Sequence, residues 1–143
     1  MATTAQEIFE LSMSLMDELN TAGQADHTDT AEYKYRTPAI LTALYGELLP
    51  YSDNHEPEGG HRAPFAIVQD MNAEIDLDDY LAKTVMPCGL TAMLLLDENP
   101  AVSSFYQQKY EELRDKAANL PRSIEAIEDI YGGLGTWPGS TWS

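Results

Sequence analysis

The chain predicts a mostly α fold: a compact bundle of about four helices, with a long loop or short extended segment between helices 2 and 3 and an extended C-terminal arm. Three observations carry this. Apolar residues recur at helical spacing in four separate stretches, residues that cap helices stand at the head of several of them, and one short run, Phe65-Ala66-Ile67-Val68, has strand character. With 143 residues, 43% of them hydrophobic, the chain is one domain's worth. A chain of that length buries about two-thirds of its unfolded surface around one core. Residues 1–118 read as a single helical domain and residues 119–143 as the arm.

The first helix opens on Thr4-x-x-Glu7, a capping-box pattern in which each side chain satisfies a free backbone amide of the other's residue. Ile8, Leu11, Leu15 and Leu19 form its expected stripe, widened by Phe9, Met13 and Met16, and Gly23 is the expected stop. Gln24 to Thr30 is a polar connection. The second element, about residues 30 to 49, keeps Tyr33, Thr37, Ile40, Leu44 and Leu48 on one face, yet Pro38 interrupts it. A proline in a helix interior costs about 3 kcal/mol, so a bent or broken element is expected, packed better after the proline. Tyr51 to Arg62, with Asn54, Pro57, Gly59 and Gly60, reads as a polar loop. Pro64 suits the following Phe65 to Val68 run to an edge or an extended arm that packs across the helices or pairs with a neighbouring subunit.

Residues 76 to 118 predict an antiparallel helical hairpin. Asp76 is the expected cap of its first arm, with Asp78 and Asp79 at the positive end of the helix dipole. Leu77, Tyr80, Leu81, Val85, Cys88, Ala92, Leu95 and Leu96 form the stripe, and Met86-Pro87 predicts a kink. The turn Leu96 to Asn99 is too short for anything but reversal, and Asn99-Pro100 starts the second arm. There Val102, Phe105, Tyr106, Tyr110, Leu113 and Ala117 face inward. Gln107, Gln108, Lys109, Glu111, Glu112, Asp115 and Lys116 remain for solvent. The core is expected to hold Leu15, Ile40, Leu44, Leu81, Leu95, Phe105 and Tyr106.

The order LDDYLAKTVMPCGLTAMLLLDENPAVSSFYQQKYEELRDKA, after two N-terminal helices and before a Gly- and Trp-containing tail, resembles the helical head–tail adaptor proteins of tailed bacteriophages and prophages. The likeness covers about residues 76 to 117 as sequence and most of the chain as an order of elements. It implies a structural virion-assembly protein, a connector in the neck, that docks on the portal through a C-terminal arm. The implied partners are the portal protein and neighbouring adaptor or tail proteins, in a homo-oligomer on the portal that is compatible with a free monomer. The host cytoplasm during assembly and the virion neck are the implied locations.

After Pro121, Ile124, Ile127, Ile130 and Tyr131 have helical spacing for one or two apolar turns, and five Gly and Pro residues then forbid more. Trp137 and Trp142, the only tryptophans, lie here. Packing back onto the domain and docking on a partner are both open for this arm. The candidate partner-binding residues are Phe65, Ile67, Val68, Ile124, Ile127, Ile130, Tyr131, Trp137 and Trp142.

Charge narrows the function classes. Twenty-four acidic against 8 basic residues give a formal charge of −16, which repels phosphate backbones and anionic membranes. Neither sequence-specific nucleic-acid binding nor membrane binding is expected, and a DNA channel lined this way would not hold its cargo. The acidic N-terminal stretch has the wrong charge for a targeting segment. The single Cys88 has no partner for an internal disulfide and reads as buried and inert. His27, His55 and His61 lack zinc spacing, and Asp76-Leu77-Asp78-Asp79 lacks the glycine and distal glutamate of a calcium loop, so no metal and no cofactor is expected. Glu7-x-x-Glu10 and Glu112-x-x-Asp115 match the letters of a helical pyrophosphohydrolase's magnesium motifs, but at opposite ends of the chain; no enzyme is expected. The alternative function is an acidic DNA-mimic inhibitor of a nucleic-acid-binding protein, which wants acidic residues regularly spaced along one outer face. Here Lys83, Lys109, Arg114 and Lys116 interleave with them.

Overall fold

A computed structural model describes residues 2–53 and 62–118. The elements are β1 (Thr3–Thr4), α1 (Ala5–Leu15), α2 (Ala31–Leu48), β2 (Glu74–Ile75), α3 (Met86–Leu94) and α4 (Pro100–Ala117), with a π turn at Leu81–Val85 leading into α3. The protein is thus a helical bundle. Its middle is α3, packed against α1, α2 and α4. Every residue of α3 except Met93 is buried, as expected of a helix that is apolar nearly all round.

The capping box of α1 forms as its letters require: the Glu7 amide donates to Thr4 Oγ1 at 3.2 Å and the Thr4 amide to Glu7 Oε1 at 3.0 Å. Two further free amides of the first turn, Ala5 and Gln6, donate to the carbonyls of Ala73 and Met71 at 2.9 and 2.8 Å. These bonds continue the small antiparallel sheet, in which Thr3 faces Ile75 and Thr4 faces Glu74. The sheet staples the N-terminus to the segment before the hairpin, a pairing that strands of two residues leave unmarked in the sequence.

The stop of α1 is Asp17, not Gly23. Asp17 takes φ 59, its amide reaches the Ser14 carbonyl, and the Glu18 amide reaches the Met13 carbonyl at 2.8 Å. This double closure is a Schellman motif, with aspartate where glycine is usual. Gly23, at φ 78, serves the following loop instead. The buried stripe is Ala5, Ile8, Phe9, Ser12 and Met13. Leu11, Leu15 and Leu19 stay exposed, because α3 meets α1 on the face carrying Ser12, whose hydroxyl lies 2.7 Å from that of Thr91.

Pro38 does not break α2. The helix is continuous from Ala31 to Leu48 and buries Tyr33, Thr37, Leu41, Leu44, Tyr45 and Leu48 along its whole length. The proline forfeits one helical bond, and packing on both sides of it outweighs that loss. The Thr37 hydroxyl, just before the proline, donates back to the Tyr33 carbonyl at 2.7 Å. At Met86-Pro87 the accommodation is the π turn. The Met86 amide reaches back to the Leu81 carbonyl, a wider winding that takes up the strain of a ring without a donor.

The cap of the hairpin's first arm is Asp78 rather than Asp76: its Oδ1 accepts from the Leu81 amide at 3.0 Å. Residues 74–77 alternate exposed and buried, so the extended chain of β2 consumes Asp76 before the helix can start. The hairpin itself forms as expected. Asn99 Oδ1 accepts from the Val102 amide at 3.3 Å, and Ser103 Oγ donates across to the Ala92 carbonyl at 2.6 Å. On α4 the buried positions are Ser103, Tyr110 and Ala117, a thin seam seven residues apart.

Of the expected core, Leu44 and Leu81 are buried, Ile40, Leu95 and Tyr106 are half-buried, and Leu15 and Phe105 are exposed. The stripe on α4 turns past Phe105 toward Ser103, and Leu94 takes the buried place expected of Leu95. No helix among the described residues is long and apolar enough to cross a membrane.

Candidate functional site

Residues 62–68 lie against α2 without joining a ladder. Two contacts fix them. The Val68 amide donates to Thr42 Oγ1 at 2.9 Å, and the Phe65 ring leans on Tyr45 with centroids 5.2 Å apart. Gly46 makes room for that ring: a Cβ there would stand 2.7 Å from Phe65 Cζ. The run therefore packs across the helices, one of the two arrangements its sequence left open. Val68 is 3% exposed and belongs to the core, whereas Phe65 is 44% and Ile67 69% exposed. Of this trio, Phe65 and Ile67 leave apolar surface exposed. Ile124, Ile127, Ile130, Tyr131, Trp137 and Trp142 lie outside the described residues.

A second apolar patch comes from residues the sequence placed in the core. Phe105, 60% exposed, sits edge-on to Tyr106 with centroids 5.1 Å apart. The Tyr106 hydroxyl donates to the Leu15 carbonyl at 3.3 Å, which brings α4 beside the exposed Leu15. Helical spacing gave no sign of this, because Phe105 stands at the edge of the α4 stripe, two residues after the buried Ser103, and spacing alone does not say which side of a stripe its neighbours cover.

Two tyrosines lock helices together through carboxylates. Tyr110 donates to Glu47, and Tyr33 donates to Glu98. Burial first, then the bonded carboxylate, pushes both phenols well above their usual range, so they act as donors and not as bases. The Arg114 guanidinium lies 5.6 Å from the Tyr51 ring centroid and 5.7 Å from that of Tyr110, and pairs with Glu47 at 3.4 Å. This is a structural clamp between α2 and α4. Burial pushes the Cys88 thiol up, which suppresses the thiolate a nucleophile needs.

His27 holds a loop: its Nε2 donates to the Glu18 carbonyl at 2.6 Å. Among the described residues no group of three His, Cys, Asp or Glu side chains converges for a metal ion. His55 and His61 lie outside them. Comparison of the chain with protein-family models, with curated proteins and with solved structures gives no match to any of the three.

Proposed function

We propose that this chain is a structural adaptor of a phage or prophage, which docks on the portal ring and joins head to tail as an oligomeric ring. The observation that carries the reading is the hairpin ending in Asp97-Glu98-Asn99-Pro100 and followed by Phe105-Tyr106 and Tyr110-Glu111-Glu112, the stretch that resembles the adaptors. Exposed apolar side chains in two places support it, Phe65 and Ile67 on one segment and Leu15 and Phe105 on another. A ring built from one repeated heterologous contact needs two such surfaces per subunit, one for each neighbour. Mechanism is then geometry: the helices hold the two surfaces at a fixed distance, and the arm after residue 119 adds the portal contact. The acidic surface suits a conduit that passes DNA without retaining it.

The test is co-sedimentation with the portal protein of the same genome. Ile67→Ser removes apolar area from a residue already mostly in water, so the fold is retained to within about 0.5 kcal/mol. It is expected to weaken ring assembly. Deletion of residues 119–143 is expected to abolish portal binding while the helical domain keeps its melting transition. Unimpaired assembly in both variants would refute the assignment of these surfaces.

A further inference from the structure

The surface that carries a further inference runs along the outer face of α2. Tyr35, Ala39, Thr42 and Gly46 recur at helical spacing on one line of that helix. Residues 62–68 cover half of the line: Thr42 accepts from the Val68 amide at 2.9 Å, and Gly46 leaves the space that the Phe65 ring fills. The other half is open. Ala39 is exposed, and Tyr35, at 87%, is more exposed than any other large apolar side chain described. Tyr35, Ala39, Ile67 and Phe65 together make an apolar strip about 16 Å long, by the rise of the helix from residue 35 to residue 46.

Charge sets this strip apart from the rest of the chain. Its two segments, residues 33–46 and 62–69, contain no Asp or Glu and contribute Lys34, Arg36 and Arg62, in a chain with a formal charge of −16. Lys34 and Arg36 flank Tyr35, and Arg62 stands at the other end, before Phe65. Lys34 is held by Asp26 at 2.9 Å, but Arg36 reaches Glu32 only at 3.8 Å, and the exposed Arg62 has no carboxylate partner among the described residues. An occupant with one apolar edge and several carboxylates matches such a surface. Residues 124–131 have that composition: Ile124, Ile127, Ile130 and Tyr131 at helical spacing, with Glu125, Glu128 and Asp129 between them.

That segment also begins within reach. Arg114, in the last turn of α4, pairs with Glu47 at 3.4 Å and lies 5.6 Å from the Tyr51 ring centroid, so α4 ends beside the end of α2. Residues 119–123 span up to about 17 Å when extended, enough to round a helix about 10 to 12 Å across. We propose that residues 124–131 seat on this strip of their own chain, the isoleucines against Tyr35, Ile67 and Phe65 and the carboxylates toward Arg36 and Arg62. Wound as a helix they cover about 11 Å of it. The tether gives the segment an effective concentration on the order of mM, which favours it over the same segment of a second copy. Resting on the adaptor reading, the seat covers the Phe65 and Ile67 contact in the free protein, and transfer of the arm to the portal opens that contact to the next subunit.

The experiment is cysteine cross-linking of the full chain under mild oxidation, with no other protein present. Ile67→Cys is combined in turn with Ile124→Cys, Ile127→Cys and Ile130→Cys, because a disulfide needs Cα atoms within about 7 Å and the register decides which pair meets that. The buried Cys88 is left in place. At least one pair is expected to close within the chain, with a yield independent of protein concentration and about tenfold or more above that of Phe105→Cys, on the other exposed patch, with the same partner. Arg36→Glu with Arg62→Glu is expected to lower the yield about threefold, and Glu125→Lys with Glu128→Lys in the same chain to restore it. Yields no higher than the Phe105 control, closure only between chains, or indifference to the charge reversal would overturn the seat. Adding the portal oligomer of the same genome is expected to lower the yield. A portal that binds the protein and leaves the yield unchanged would overturn the release step, whereas a portal that does not bind, with the seat intact, would count against the adaptor reading alone.

Discussion

At Gly89 of α3 side chains of α2 and α4 meet the backbone, and replacing it with alanine tests the packing of the bundle. A Cβ at Gly89 would stand 2.9 Å from Tyr110 Cδ1, 3.0 Å from Tyr110 Cε1 and 3.1 Å from Leu44 Cδ1. Ordinary carbon contacts are about 3.5 to 4.0 Å, so the methyl group overlaps the ring. The ring has little room to yield: Tyr110 is buried, donates to Glu47 and lies under the Arg114 guanidinium. Overpacking of this kind costs about 1 to 3 kcal/mol, and alanine returns about 1 kcal/mol of helix propensity over glycine. With the ring held on two sides, the net expectation is a loss of about 1 to 2 kcal/mol by urea denaturation. In a Tyr110→Leu background the overlap with the ring is gone and only the Leu44 methyl, 3.1 Å from the added Cβ, has to give way, so Gly89→Ala should cost clearly less there and come close to neutral. A coupling of about 1 kcal/mol or more between the two sites is the signature of direct contact. Stabilisation by Gly89→Ala in the otherwise unaltered protein would refute the close approach of α3 and α4.

Three further outcomes follow from particular residues. Asp17→Gly places glycine at the left-handed closure of α1 and should raise stability by about 1 kcal/mol in a thermal melt. Leu94→Ala, at a buried site, should cost about 2 to 5 kcal/mol, and Leu95→Ala, at a half-buried one, clearly less; the reverse order in denaturant titrations would put the wrong leucine in the core. Tyr33, Tyr45, Tyr80 and Tyr110 all have phenols raised chiefly by burial. The unfolded chain therefore loses these protons first, and stability is full below about pH 10 and falls above it, by up to about 1.4 kcal/mol per pH unit for each group. Tyr33→Phe and Tyr110→Phe should flatten that alkaline fall when unfolding is measured from pH 9 to 11.

Sequence and structure agree where a signal is local and chemical. Thr4 with Glu7 and Asn99 with Pro100 name their own hydrogen bonds, and the short turn between Leu95 and Asn99 forces the hairpin. They part where packing decides. Leu11, Leu15 and Leu19 make as good a stripe on paper as Ile8, Phe9 and Met13, and only the position of α3 and the early stop at Asp17 select between them. The same holds for Pro38, whose penalty is real but smaller than the burial along α2, and for Asp76, which a period-two run claims before a helix can. The sheet of Thr3–Thr4 with Glu74–Ile75 joins segments some 70 residues apart through two-residue strands, too short for any periodicity to mark. At the candidate surface, Phe65 and Ile67 follow from their run of apolar letters. Phe105 and Leu15 do not, since exposure of a large apolar side chain is visible only once its neighbours are placed.

The most direct measurement is electron microscopy of this protein mixed with the portal oligomer of the same genome. The adaptor account predicts a ring of copies seated on one end of the portal, with Phe65 and Ile67 or Leu15 and Phe105 at the contact between neighbouring subunits. A portal left bare, with the protein instead competing with DNA for a nucleic-acid-binding protein, would contradict it.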